Sequence, residues 1–159
     1  MEISQAGLDL IKRSEGFRAE TYLDVAGYPT IGYGHKLKAG EQYDHGITEA
    51  TATAMLEQDI QGAEAAVGRL VYVAMTQGQF DALVDFVFNL GQGALASSTL
   101  LRDLNASEYA LAGLQLLLWD HAVVAGREQE VFALKERRQA ELNLWLGRSS
   151  VENPVSTER

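Results

Sequence analysis

Cysteine is missing from all 159 residues, and proline occurs only twice. The first absence excludes a disulfide framework, a thiolate nucleophile and cysteine-ligated zinc. The second, with 22% charged residues and no low-complexity run, excludes a disordered or collagen-like chain. No stretch of about eighteen apolar residues occurs, so stable membrane insertion is not expected. Met1-Glu2-Ile3-Ser4 carries neither a basic nor a hydrophobic leader segment, so the expectation is synthesis in the cytoplasm without a signal peptide. Positive charge is also scarce: 13 basic side chains face 22 acidic ones, a net charge of −9. The excess is local. Residues 41–120 hold two basic side chains, Arg69 and Arg102, against eleven acidic, whereas residues 1–40 and 121–159 are each balanced. A basic nucleic-acid-binding surface is thereby excluded, and the acidic middle reads as a solvated helix surface.

What is present is enough for one buried core: 47% of the residues are apolar, in a chain of single-domain length. Ser4 to about Ser14 reads as a short helix with Leu8 and Ile11 on one face and Leu10 beside it, stopped by Gly16. From Phe17 to Gly40 the texture changes to strand formers (Tyr22, Tyr28, Thr30, Ile31, Tyr33) punctuated by glycines and Pro29. This predicts a small antiparallel sheet whose first turn lies near Val25–Tyr28. Beyond it the chain reads as helical throughout. A helix capped by Thr48 runs to about Leu70, and Thr76 with Gln79 forms a capping box. The helix behind that box places Phe80, Leu83, Val84, Val87 and Phe88 on one stripe. A short helix covers about Ser98 to Leu104. Another, opened by Asn105 and Glu108, turns Leu111, Leu114, Leu118 and Trp119 inward. A last helix, about Glu130 to Leu146, buries Phe132 or Leu134, then Leu142 and Trp145. Residues 148–159 read as a polar tail. The expected fold is α+β: a sheet-bearing lobe at about 15–47 joined to a larger helical lobe at about 70–147, which also takes in the N-terminal helix, with a cleft between them.

The strongest constellation is Glu15, Asp24 and Thr30. Glu15 falls at a helix C-terminus, where the helix dipole disfavours an added negative charge and favours retention of the proton. Retaining a proton is what a general acid requires. Asp24 closes the first strand and Thr30 opens the next, so a carboxylate and a hydroxyl can share one water across the turn. A protonated acid facing an ionised carboxylate is the arrangement that cleaves glycosidic bonds. Read alone, two acids nine residues apart mean little and are better described as a pair of solvated surface side chains.

The run Leu10-Ile11-Lys12-Arg13-Ser14-Glu15-Gly16-Phe17, then Tyr22-Leu23-Asp24, then Gly27-Tyr28-Pro29-Thr30-Ile31-Gly32-Tyr33-Gly34-His35 closely resembles the active-site lobe of the phage-type lysozymes, the endolysin muramidases of glycoside hydrolase family 24. The likeness continues through Thr76-Gln77-Gly78-Gln79-Phe80-Asp81, Phe88-Asn89-Leu90-Gly91 and Arg137-Arg138-Gln139-Ala140-Glu141, and covers about residues 6–147. It implies hydrolysis of the β-1,4 bond between N-acetylmuramic acid and N-acetylglucosamine in peptidoglycan, with no metal or cofactor. Glu15 is then the general acid, while Asp24 and Thr30 place and activate water, with inversion at the anomeric carbon. A phage product of this kind waits in the host cytoplasm for a holin and acts on the wall as a monomer. The rivals are a lytic transglycosylase acting on the same bond and a lysozyme-like module kept for binding or scaffolding.

The resemblance gives His35 a structural partner in Asp59, a pair that should raise the histidine pKa and stabilise the fold below that value. His35, His45 and His121 show no metal-ligand spacing, and Asp44-His45 reads as a loop cap. Gly32 and Gly34 lack the helix and lysine of a phosphate loop and instead permit close approach of strand and substrate. Phe88, Asn89 and Gly91 either line the sugar cleft or end a core helix. Arg137 and Arg138 either reach the substrate or pair on a helix surface with Glu136 or Glu141. The chain departs from the family in its acidity, which weakens steering to an anionic wall. It also departs at Asp120–Gln129, where the loop runs longer than usual, and at Ala133-Leu134, where relatives often carry Gly-Leu.

Overall fold

Ser4 opens helix α1 (Gln5–Glu15) by accepting the Gly7 N–H, and Leu8, Leu10 and Ile11 are buried as the spacing predicts. The computed structural model describes residues 1–148, so the expected tail lies, from residue 149 onward, outside the described residues. Three strands follow, β1 (Arg18–Leu23), β2 (Pro29–Gly32) and β3 (His35–Lys36), forming one antiparallel sheet in the order β1-β2-β3. Thr30 stands opposite Tyr22 on one side and Lys36 on the other, and the pairing shifts register between Arg18 and Tyr22.

Thr48 caps α2 (Glu49–Asp59), but the single helix expected to run to Leu70 is two. The chain tightens at Ile60 (φ −75°, ψ −15°) and restarts as α3 (Gln61–Leu70). Leu56, Ile60, Ala63 and Val67 are buried on both sides of this break, one apolar stripe at the three-and-four spacing.

The capping box of Thr76 and Gln79 is present at the start of α4 (Gln77–Leu90). This helix carries more than one apolar stripe, because Gln79 through Val87 are all buried. It is the central element, with α1, α3 and the last helix packed around it, so its polar residues are buried too. Gly7 lets α1 approach closely: a Cβ there would stand 2.8 Å from that of Asp81. Asp81 accepts both the backbone N–H and the hydroxyl of Ser4, locking the start of α1 to α4.

Two short helices follow, α5 (Gln92–Ala96) and α6 (Thr99–Asn105), the latter capped by Ser98. Asn105 opens no helix. It ends α6, and its amide binds the Leu70 carbonyl and the Tyr72 N–H, tying down the end of α3. In α7 (Tyr109–Gln115), continued by a 3-10 turn over Leu116–Leu118, the expected inward face is reversed. Leu111, Leu114 and Leu118 are exposed, while Ala112, Gly113 and Leu116 are buried. Trp145 is the reason: a Cβ on Gly113 would lie 2.8 Å from its indole, so α7 meets the last helix through small side chains. Trp119 is half-buried and packs edge-on against Phe86 at 5.3 Å.

The segment expected as a long loop in a helical stretch is a hairpin, β4 (His121–Val124) paired with β5 (Arg127–Glu130). Ala125 and Gly126 turn it with φ of 51° and 77°, the double left-handed turn that matches strand twist. The last helix, α8 (Phe132–Trp145), buries Leu142 and Trp145, but Phe132 at its first residue is exposed and Leu134 is half-buried. No helix among the described residues is long and apolar enough to cross a membrane.

Candidate active site

Glu15 is the last residue of α1, and Gly16 breaks the helix with φ 73°. The turn between β2 and β3 lies against its carboxylate: a Cβ on Gly34, at φ 80°, would stand 3.3 Å from Glu15 Oε2. On the other side, Arg137 Nη1 of α8 donates to Glu15 Oε1 at 2.8 Å. The expectation for this carboxyl, built on the helix end, did not include a guanidinium in direct contact. Arg137 is held from behind by Asp85 of α4, with Nε donating to Oδ2 at 3.0 Å and Nη2 to Oδ1 at 2.7 Å.

Asp24 builds its own turn. Its Oδ1 accepts the N–H groups of Ala26 and Tyr28, both at 2.9 Å, and Lys36 Nζ lies 3.5 Å from Oδ2. The Tyr28 N–H above all, helped by the Ala26 N–H and the Lys36 ammonium, holds the Asp24 carboxyl below the usual carboxylate range against the opposing effect of burial. Thr30 is buried on β2, and its hydroxyl donates to the Tyr28 carbonyl at 2.8 Å. The same carbonyl accepts the Asp24 N–H at 3.0 Å. Asp24 and Thr30 are thus fixed to one another through Tyr28. With its proton committed there, the threonine hydroxyl offers only lone pairs to a guest water.

His35 Nδ1 is 2.7 Å from Asp59 Oδ2 at the end of α2, and its Nε2 is 3.0 Å from Glu41 Oε2. The second carboxylate was not read from the sequence. Burial of the ring lowers its proton affinity, but the two carboxylates outweigh it and the His35 pKa is raised.

The helical side differs from expectation at the arginines. Arg138 is fully buried, against Glu141 and with Nη2 donating to Asn89 Oδ1 at 2.9 Å; Arg137 is 7% exposed. Neither lies on a helix surface. Arg138 cannot reach a substrate, because its guanidinium is enclosed in the core. Asn89 is correspondingly held by Arg138, and Gly91 ends α4 at φ 90°. Phe88 is half-buried and lines a groove with Asp59, Gly62, Ala63, Arg69 and Gln92. Asp85 was missed altogether. The signal was available: Asp81, Asp85 and Asn89 recur every fourth residue in an otherwise apolar helix, a polar seam that must find partners if the helix is central. Among the described residues, no group of three His, Asp or Glu side chains is arranged to hold a metal ion.

Gly34→Ala is expected to cut activity roughly tenfold to a hundredfold by pushing Glu15 aside, since sub-ångström placement matters at this scale. It also forces an L-residue into a positive φ, at a cost of roughly 1–2 kcal/mol. Cell-wall clearing rates beside thermal melts check this; a lowered melting temperature with an unchanged rate would reduce Gly34 to a backbone role.

Residues 12–141 match the phage lysozyme family. The chain is 41% identical over 147 residues to the endolysin of Acyrthosiphon pisum secondary endosymbiont phage 1, covering 91% of this chain and 98% of that protein. It is 40% identical over 147 residues to the endolysin of Salmonella phage P22, with 91% and 99% covered. Its fold superposes on the endolysin from Escherichia coli O157:H7 phage FAHEc1 with a TM-score of 0.84 at 36% identity, covering 92% of this chain and 94% of that one. With its α+β lysozyme fold and a glutamate at a helix end beside a glycine-rich turn, the chain belongs to the phage lysozyme family, the endolysins that hydrolyse peptidoglycan.

Proposed function

We propose that Glu15 is the general acid of this lysozyme and that Asp24, with Thr30, places the attacking water. The observation that carries this is the opposite settings of the two acids. Glu15 ends a helix and meets a single guanidinium N–H, whereas Asp24 accepts two backbone N–H groups beside an ammonium. Glu15 gives its proton to the glycosidic oxygen as the bond to the anomeric carbon of N-acetylmuramic acid breaks. Water adds to that carbon from the opposite face, giving inversion. It is oriented by Asp24 Oδ2 and the Thr30 lone pairs, and it passes a proton to Asp24 Oδ2 as the new bond forms. The ionised Asp24 also faces the positive charge that develops on the sugar ring.

One chain carries every residue of this constellation, which supports a monomer as the working unit. The endolysin relatives support a path in which the protein is made in the host cytoplasm and meets the wall after a holin opens the inner membrane.

Digestion of purified sacculi in heavy-oxygen water tests the reaction. Muropeptides are expected to end in reducing N-acetylmuramic acid carrying one solvent oxygen, formed first as the α-anomer. Anhydro ends without added water would indicate a transglycosylase, and a β-anomer would replace inversion by retention.

A further inference from the structure

A buried set of charges stands behind Glu15 and is larger than one ion pair needs. Arg137 presents three N–H groups to two carboxylates, and they are shared unequally: Asp85 takes Nε and Nη2, leaving Glu15 only Nη1. Asp85 is fully buried, on the central helix α4, and it keeps the guanidinium plane aligned to itself. Behind it lie Glu141 and Arg138 of α8, both with no exposed surface. Burial first, and the nearby Asp85 charge second, push the Glu141 carboxyl well above the carboxylate range.

We propose that Asp85 is a positioning residue for the reaction: by gripping Arg137 at two points it restricts that cation to a one-point contact with Glu15, so that Glu15 can hold and return its proton. A free arginine takes a carboxylate in a two-pronged fork, which stabilises the ionised form. An ionised Glu15 has no proton to give. Asp85 takes the Nε and Nη2 groups of the cation and leaves Glu15 the single Nη1 contact.

The groups facing this carboxyl from each packed element are few. From α8 they are Arg137, with Arg138 and Glu141 behind it; from α4, Asp85, with Asp81 engaged at the far end by Ser4. Lys12 and Arg13 lie on the last turn of α1 itself, Lys12 over the Tyr33 ring. The β2–β3 turn brings the Gly34 backbone and no charge. Among these, Asp85 is the one that touches the cation Glu15 touches.

The inference rests on Glu15 being the general acid, and the experiment separates the two ideas. The pH dependence of kcat/KM is measured on soluble peptidoglycan fragments for the wild type, Asp85→Asn, Arg137→Gln and Glu15→Gln. Asp85→Asn frees Arg137 to fork onto Glu15, so the alkaline limb moves to lower pH, by roughly one unit. Arg137→Gln removes the cation and leaves Asp85 facing Glu15, so the limb moves to higher pH. Carbon-13 titration of the Glu15 carboxyl follows the same opposite displacements without relying on turnover. Lowered rates with an unmoved limb in both variants overturn the proposal and leave Asp85 a structural residue. So does failure of both variants to fold, while either variant that folds decides the matter alone. If Glu15→Gln keeps wild-type activity, the general-acid assignment itself fails, a result distinct from an unmoved limb.

Discussion

Glu15→Gln is expected to lower the rate of cell-wall clearing by roughly 10²–10⁴, the usual contribution of a positioned general acid. The substitution keeps the shape of the side chain and an oxygen for Arg137 Nη1, and it removes only the capacity to deliver a proton. Arg137 stays anchored by Asp85 at 2.7 and 3.0 Å, so no buried cation is left without a partner. The fold is therefore expected to survive, with a melting temperature within a few degrees of wild type. That outcome matters, because a drop in clearing from an unfolded variant says nothing about proton transfer. Turbidity loss of permeabilised Gram-negative cells, read beside circular dichroism melts, makes the measurement. Equal clearing by the two proteins would remove Glu15 from the chemistry.

The arrangement the experiment probes was largely written in local sequence. Glu15, Gly16, Asp24 and Thr30 are placed by a helix stop and a tight turn, features that depend on residues within a few positions of one another. The Ala26 and Tyr28 N–H groups that hold Asp24 are two and four residues away. The sheet and its turn were legible for the same reason. What was not legible depends on contacts far along the chain. Arg137 meets Glu15 across 122 positions and Asp85 across 52, and nothing near Arg137 distinguishes it from a surface arginine paired with the next turn. The apolar spacing of Leu111, Leu114 and Leu118 describes a helix face without saying which way it turns. The answer was set by Trp145, which fills the space beside Gly113 and so draws the face of small residues inward. The β4–β5 hairpin was passed over because its turn residues, Ala125 and Gly126, are a weak form of the usual asparagine-glycine signal.

His35→Asn is expected to destabilise the protein by roughly 1.5–3 kcal/mol at pH 5.5, the range for a hydrogen bond to a charged group. For a domain of this size that corresponds to a fall of roughly 3–12 °C in melting temperature. The geometry dictates the charge state. Both ring nitrogens face carboxylate oxygens, Nδ1 that of Asp59 and Nε2 that of Glu41, and a neutral imidazole would turn a lone pair toward one of them. Only the imidazolium donates to both, which is why the carboxylates raise the His35 pKa even though burial opposes it. A group whose pKa is higher folded than unfolded binds protons more tightly in the native state. Its stabilisation is therefore complete below the unfolded value, about 6.5 for histidine, and fades as pH rises through the higher folded value. Glu41 sets the other boundary. The Lys38 N–H and His35 lower its pKa, so its share is lost as pH falls through that lowered value. The clamp that joins β3 to the end of α2, and so fixes the sheet against the helices, is thus strongest in mildly acidic solution. Denaturant melts of wild type and variant at pH 5.5 and pH 9 should show a stability gap that narrows at the higher pH. A gap that stays constant would mean that the histidine fills space there without carrying charge.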